Sequence, residues 1–420
     1  MFNKTVLDNG IRIVSHEMPD NRSVSLGIWV ENGSRHESEA ENGISHFIEH
    51  LLFKGTERRS AAEIAEEMDA VGGVLNAFTS KENTCYYAKV LDENLPLAID
   101  LLTDIFLHSS FDADEIERER SVILQEISQA EDTPDDYVHD LFNLDLFQNH
   151  PIGRPICGRQ ETVSGFRRDD IINFFKSRYL PQRVIVSAAG HIRHATLVEE
   201  MARQLGSAPD GGTGEYALEA EVKTAPQMAR GVYPHMKSLE QVHLCLGVGG
   251  IHQAHPKRYV AYVLNTLLGG GMSSRLFQEI REKRGKAYSV YSFSSSYKDV
   301  GYLGVYAGTS LESTEEVVEL TVKEIKKLAA GEIADEEIRR TQGQLIGNTI
   351  LGLESTDSWM SHIARNEIYF AKAVTTDEIC RRIRAVSRAD VIDLAGELFQ
   401  DEGMTLTLLG DFSESFQVKI

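Results

Sequence analysis

The stretch that most narrows what this chain can fold into is Ile44–Phe53, ISHFIEHLLF. At helical period, Ile44, Phe47, Ile48, Leu51 and Leu52 fall at i, i+3, i+4, i+7 and i+8 and form one apolar stripe. His46, Glu49, His50 and Phe53 repeat that spacing on a different face. Such a helix docks on a core through its first face and is left with two imidazoles on the second. Side chains at i and i+4 point the same way from adjacent turns, about 6 Å apart along the axis, so the pair can grip one metal ion. Glu49 stands beside them, one turn after His46, and the order of the set is H-x-x-E-H.

A catalytic zinc usually takes three protein ligands and keeps one open position, so a third ligand is needed. The best candidates lie in Glu115–Gln129, EIERERSVILQEISQ, a strong helix former throughout. Glu119 and Glu126 are two turns apart on one face, and Ile116, Ile123 and Ile127 mark the buried side. Spacing alone assigns neither glutamate, because most helix glutamates only face water.

HFIEH followed at long range by EIERERSVILQEI resembles the pitrilysin family of metallopeptidases, which includes insulin-degrading enzyme and mitochondrial processing peptidase. The resemblance covers nearly the whole chain. It implies a Zn2+ site with His46, His50 and Glu126 as ligands and Glu49 as general base. It also implies a supporting, non-ligand role for Glu119. In that family a strand after the metal helix holds substrate by main-chain pairing, and it falls here on Asn76-Ala77-Phe78-Thr79. Without the resemblance, Val74–Val90 reads as an ordinary hairpin around Ser80–Asn83.

Composition narrows the alternatives. A net charge of −21 argues against a general nucleic-acid binder, since nothing offsets phosphate repulsion. No apolar run approaches the roughly 18–20 residues that a membrane-spanning helix needs. The first residues, MFNKTVLDNGIRIV, read as two short strands around Asn9-Gly10 and not as a targeting segment. Cys85, Cys157, Cys245 and Cys380 form no C-x-x-C pair, which fits a reducing, cytoplasmic location and offers no cysteine metal site.

Along the chain, Val24–Val30 reads as a strand and Ser60–Val71 as a helix ended by Gly72-Gly73. Helices are expected over Leu95–Leu107, Tyr137–Phe147 and Asp169–Tyr179, then a strand over Val184–Ala189. His191 and His194 read as loop residues on the surface. Gly206–Gln227, rich in Gly, Ala, Pro and acid, reads as a linker. The expected domains are therefore 1–205, with the metal helix, and 228–420, separated by 206–227.

After the linker the pattern recurs. Val242–Val248 repeats Val24–Val30, and Tyr259–Leu268 can be laid on the metal helix, with Tyr262, Asn265 and Thr266 opposite His46, Glu49 and His50. Next come a helix over Ser273–Glu282, a strand over Ala287–Ser296, and helices over Thr314–Ala329, Asp335–Phe370 and Thr376–Leu398. Strands followed by helices, twice over, argue an α+β fold of two related domains, each an antiparallel-rich sheet with helices on one face. Gly269-Gly270-Gly271 lacks the following Lys-Ser/Thr of a phosphate loop and is not read as one.

The resemblance adds three expectations for the second domain and the assembly. Arg281 and Tyr288, seven residues apart in REKRGKAY, match a pair that completes the active site across a cavity; Lys286 stands where leucine is common. Short family members pair to enclose a chamber, so a homodimer is expected, with Arg281 and Tyr288 acting in trans. The implied activity is zinc-dependent endopeptidase action on peptides or unfolded polypeptides. The rival readings are a non-catalytic peptide-binding or scaffold subunit of the same fold, and a zinc hydrolase with a non-peptide substrate.

Overall fold

The computed structural model describes residues 2–206, 226–400, 403–413 and 416–420. In chain order the strands are β1 (Phe2–Val6), β2 (Arg12–Glu17), β3 (Ser23–Val30), β4 (Val74–Thr79), β5 (Thr84–Leu91), β6 (Val184–Gly190), β7 (Gly231–Met236), β8 (Val242–Gly249), β9 (Ala287–Ser296), β10 (Gly301–Thr309) and β11 (Thr405–Gly410). The helices begin with α1 (Ile44–Leu51), α2 (Ala61–Ala70), α3 (Leu95–His108), α4 (Ala113–Glu131), α5 (Pro134–Leu146), α6 (Gln160–Gly165), α7 (Arg168–Arg178) and α8 (His194–Leu205). They continue with α9 (Arg258–Gly269), α10 (Thr314–Ala329), α11 (Asp335–Gly352), α12 (Thr356–Phe370), α13 (Thr376–Arg384) and α14 (Arg388–Leu398). None of the described helices is long and apolar enough to cross a membrane.

The strands form two sheets, ordered β1-β2-β6-β3-β5-β4 and β7-β11-β8-β10-β9. From β2 onward the second sheet repeats the first, strand for strand. The pairs β2/β6 and β7/β11 are parallel, and every other neighbour pair is antiparallel. The duplication read in Val24–Val30 and Val242–Val248 is therefore a duplication of topology, with β3 and β8 in the same place. β1 pairs with β2 around the Asn9-Gly10 turn.

Contacts divide the chain into two units, and neither is a continuous stretch. The first contains Met1–Gln129, Arg154–Lys223 and Gly352–Ala373; the second contains Ala130–Gly153, Thr224–Leu351 and Val374–Ile420. Most of the expected linker, 207–225, lies outside the described residues. Each unit has a helix-covered core, one built around α1, α3, α4, α7 and α8 and the other around α9, α10 and α14.

The opposite face of each sheet is not bare, which extends the expectation of helices on one face. In the first unit that face is covered by α12, whose Met360, Ile363 and Ala364 pack on Val14, Trp29, Cys85, Ile185 and Ala189. In the second it is covered by α5, whose Val138, Leu141, Phe142 and Leu146 pack with Cys245, Tyr302, Tyr306 and Leu409. Each covering helix comes from the other half of the chain. A side chain on Gly27 would run into Met360 and Trp29, and one on Gly247 into Phe142, so glycine sits where each helix approaches most closely. Burying a residue the size of Phe142 or Met360 contributes about 1.5–3 kcal/mol each.

Polar contacts pin α12 at both ends. The Asp357 carboxylate accepts from Ser25 Oγ (2.6 Å) and Lys89 Nζ (2.7 Å), and Tyr369 donates to Glu82 Oε2 (2.9 Å). In α5, Asp145 Oδ2 meets Thr407 Oγ1 (2.7 Å) and His235 Nε2 (2.9 Å).

Two long helices expected from periodicity are broken. Asp335–Phe370 is α11 and α12, and Thr376–Leu398 is α13 and α14. In each case a serine starts the new helix: Ser355 accepts from the Ser358 amide, and Ser387 forms a capping box with Asp390. His194 opens α8 instead of lying in a loop, with its ring between Thr5 Oγ1 and Ser15 Oγ, both at 2.9 Å. His191 remains exposed but pairs with Asp92 at 2.6 Å, a carboxylate distant in sequence.

Candidate metal centre

Helix α1 carries the two histidines and is anchored through its apolar stripe. Ile44, Phe47, Ile48 and Leu51 are all buried in the first core. Its N-cap residue, Gly43, offers no side-chain cap, and the Ile44 amide meets the Glu41 carbonyl at 2.9 Å. Glu37, itself buried, accepts from the Gly43 amide (2.8 Å) and the Ser45 amide (2.9 Å), and Asn42 Nδ2 donates to it at 3.2 Å. Burial pushes the Glu37 carboxyl up to about 7 against the pull of these donors.

Helix α4 brings up the carboxylates. Ile116, Ile123 and Ile127 hold its inner side in the core, and this turns Glu119 and Glu126 towards α1. Glu126 Oε2 lies 3.8 Å from His46 Nε2 and 3.4 Å from His50 Nε2. One donor atom from each of His46, His50 and Glu126 lies within 4.8 Å of the other two. Ligands at the usual zinc distances in a tetrahedron would stand about 3.3–3.5 Å apart, so the set is close to the size that the ion requires.

The donor chemistry also fits. Burial, then the neighbouring His50, pushes His46 down to about 4, which leaves its imidazole neutral and its nitrogen lone pair available. His46 Nδ1 is buried without a hydrogen-bond partner among the described residues. His50 Nδ1, by contrast, is 3.0 Å from Glu119 Oε2, so Glu119 backs the ring and is not one of the three converging groups.

Glu49 points to the same region. Its Oε2 accepts from Thr79 Oγ1 at 2.5 Å, and burial raises its carboxyl above the ordinary value, opposed first by that hydrogen bond. Thr79 ends β4, which is the edge strand of its sheet and pairs only with β5 among the described residues. The outer side of β4 therefore has no neighbouring strand among the described residues, and its Ala77 amide is met by Asn76 Oδ1 at 2.8 Å while its Thr79 amide faces the Glu49 carboxylate. Asn76 is exposed, Leu75 and Ala77 pack towards the α1 side, and Phe78 faces α12, edge-on to Trp29 at 5.4 Å.

Comparison with known proteins gives this arrangement a context. The family description "Insulinase (Peptidase family M16)" matches residues 12–160, and "Peptidase M16 inactive domain" matches residues 165–345. A Bacillus subtilis protein named as an uncharacterized zinc protease, YmxG, is 42% identical over 402 residues, 96% of this chain and 97% of the relative. The chain belongs to peptidase family M16.

Another M16 relative, an uncharacterized zinc protease of Streptomyces coelicolor, is 42% identical across 94% of this chain and 86% of its own length. Two solved structures share the fold. A protease from Helicobacter pylori aligns with a TM-score of 0.86 at 23% identity, covering 98% of this chain and 99% of its own. A Pseudomonas fluorescens structure described as a peptidase M16 inactive domain aligns with a TM-score of 0.89 at 17% identity, covering both chains completely. As an M16 chain, this protein is of a protease family whose named relatives are zinc proteases.

In the second unit of this M16 chain, Arg281 lies in a π-helical segment, Phe277–Glu282, within the helix expected there. Its guanidinium is held between two rings, 4.8 Å from the Phe277 centroid and 4.7 Å from that of Tyr288. Tyr288 is the second residue of the edge strand β9 and is 79% exposed, so its phenol is open to a partner. Lys286 turns away to pair with Glu316 at 2.7 Å. Sequence reasoning missed Glu37, which carries no local capping signal, and the Thr79 side chain, which was read only as part of a main-chain docking strand.

Proposed function

We propose that this chain is a zinc-dependent endopeptidase that hydrolyses peptides or unfolded polypeptides laid along β4. The observation that carries the reading is the convergence of His46, His50 and Glu126 beside a Glu49 that is tied, through Thr79, to an open sheet edge. The named relatives support protease chemistry and the metal.

A divalent ion held by His46, His50 and Glu126 would supply Lewis acidity, polarising the peptide carbonyl and making water a stronger nucleophile. The remaining work falls to the chain's own groups. An extended substrate adds to the sheet at Asn76–Thr79, and its main-chain groups pair with β4. Glu49, with Oε2 held by Thr79, takes the proton from the attacking water on its other oxygen and returns it to the leaving amine. Its raised affinity for a proton suits both halves of that transfer. Backbone pairing does not read side chains, so breadth of substrate follows from this mode of binding.

The active assembly is a homodimer in this proposal. Arg281 and Tyr288 of one copy stabilise the developing oxyanion in the site of the other, for which a cation and a phenol are suited. The scaffold reading is less favoured, because the complete ligand set and the base are all retained.

Purified protein incubated with a mixture of unfolded peptides and analysed by mass spectrometry tests the proposal. The expected result is internal cleavage that a chelator abolishes and Zn2+ restores. It is also expected that Glu49→Gln keeps the metal and loses nearly all turnover. Absence of cleavage by metal-loaded protein, or undiminished cleavage by Glu49→Gln, would overturn it.

A further inference from the structure

A lysine outside the motif stands behind the metal helix. Just past the end of α1 the chain turns at Phe53-Lys54-Gly55, with the Lys54 amide bonded to the Leu51 carbonyl. This turn sends the Lys54 side chain to Glu119, where Nζ lies 2.8 Å from Oε1. The other oxygen of that carboxylate, Oε2, meets His50 Nδ1 at 3.0 Å. Glu119 is only 5% exposed, whereas the Lys54 side chain keeps about a third of its surface. The other cations on the α4 face bond elsewhere: Arg118 to Glu115, and Arg120 to Glu117 and to the Val163 and Phe166 carbonyls. Among the described residues, Lys54 is thus the cation paired with this carboxylate.

We propose that Lys54 is a positioning residue that acts through Glu119 on His50. A carboxylate with two oxygens and one ring to serve can rotate. Fixing Oε1 on the ammonium leaves Oε2 as the acceptor for His50 Nδ1–H. That hydrogen bond selects the tautomer with its proton on Nδ1 and leaves the Nε2 lone pair facing Glu126, 3.4 Å away. A buried carboxylate with no cation is also costly, so removing the ammonium weakens the support as well as its direction. His46 has no such backing, since its Nδ1 lacks a partner. Order in the ligand set therefore enters from the His50 side.

The inference rests on the reading of His46, His50 and Glu126 as metal ligands, and its test separates the two. The variants are Lys54→Met, which keeps the length of the stem, and Lys54→Arg, which keeps the charge. The first readout is the His50 tautomer in metal-free protein, from long-range proton–nitrogen-15 correlation spectra. Wild type and Lys54→Arg are expected to hold the Nδ1–H form, and Lys54→Met to show a mixture. The second readout is the Zn2+ dissociation constant from chelator competition. It is expected to rise about 10–100-fold in Lys54→Met, the range typical of lost outer-shell partners, and to be largely restored in Lys54→Arg. An unchanged tautomer and an unchanged dissociation constant in folded Lys54→Met would overturn the role of Lys54. If wild type bound no zinc at all, the metal reading would fall, while the tautomer shift would still decide whether Lys54 orients His50.

Discussion

From β2 onward the two units share one strand order, but among the described residues only the first brings together a set of side chains that could hold a metal ion. β3 leads to α1 in the first unit and β8 leads to α9 in the second, and both helices bury an apolar stripe against their own sheet. On the face where α1 has His46, Glu49 and His50, the matching positions in α9 are Tyr262, Asn265 and Thr266. The stripe that docks the helix is thus kept in both copies, and the polar face differs. Packing and the proposed metal chemistry occupy separate faces of one helix, and either can change without the other.

The comparison breaks most sharply at the ligands. His50→Ala should abolish Zn2+ binding at one equivalent and peptide cleavage with it, whereas Thr266→Ala should leave both near wild type. Metal analysis after dialysis checks this, and retained zinc in His50→Ala would remove the distinction between α1 and α9.

Next in size is the effect expected at Arg281 under the proposal that it acts in trans. Arg281→Ala and Glu49→Gln should each be inactive alone. When mixed under conditions that allow subunit exchange, they should recover up to about a quarter of wild-type activity, because half the dimers then hold one intact site. No recovery with confirmed exchange would argue that Arg281 does not act in trans.

A smaller effect is expected at the edge strand. Removing the hydroxyl that holds Glu49, in Thr79→Ala, should lower kcat about tenfold, the scale of about 1.4 kcal/mol for a lost hydrogen bond to a charged group. Thr79→Ser should restore it, and KM should change little because main-chain pairing along β4 is untouched. A change confined to KM would assign Thr79 to binding alone.

The smallest effect concerns pH. The Glu37 carboxyl titrates near 7 in the folded chain against an ordinary value of 4.5, so between those values the native state keeps a proton that the unfolded chain has released. Its contribution to stability therefore falls as pH rises from about 4.5 to 7 and is level above that. Thermal unfolding across this window should show a negative slope for wild type relative to Glu37→Gln. Equal slopes would mean that Glu37 is ionised throughout.

Much of this was legible in the residues because local rules and tertiary needs agree. In Ile44–Phe53 the apolar and polar sets sit on separate faces, and the buried residues of α1 are those of the stripe. The hairpin β4–β5 was readable from its turn at Ser80–Asn83. The break between α11 and α12 was missed because apolar residues continue through Leu351 and Leu353. The signal was there, in a serine at Ser355 placed to cap the next turn. What no local pattern carries is destination. Periodicity shows that α12 has an apolar face but not which sheet it covers. Likewise, nothing near His194 announces Thr5 and Ser15 as its neighbours.

The exchange of α5 and α12 has a bearing on how the chain comes off the ribosome. Until residues near 370 have emerged, Trp29, Cys85 and Ile185 have no lid, and the first unit waits with one greasy side uncovered for most of synthesis. A protein cut at its middle would give two halves, each holding the other's missing piece. Co-expressed, such halves should find one another; expressed singly, each should require a chaperone or precipitate.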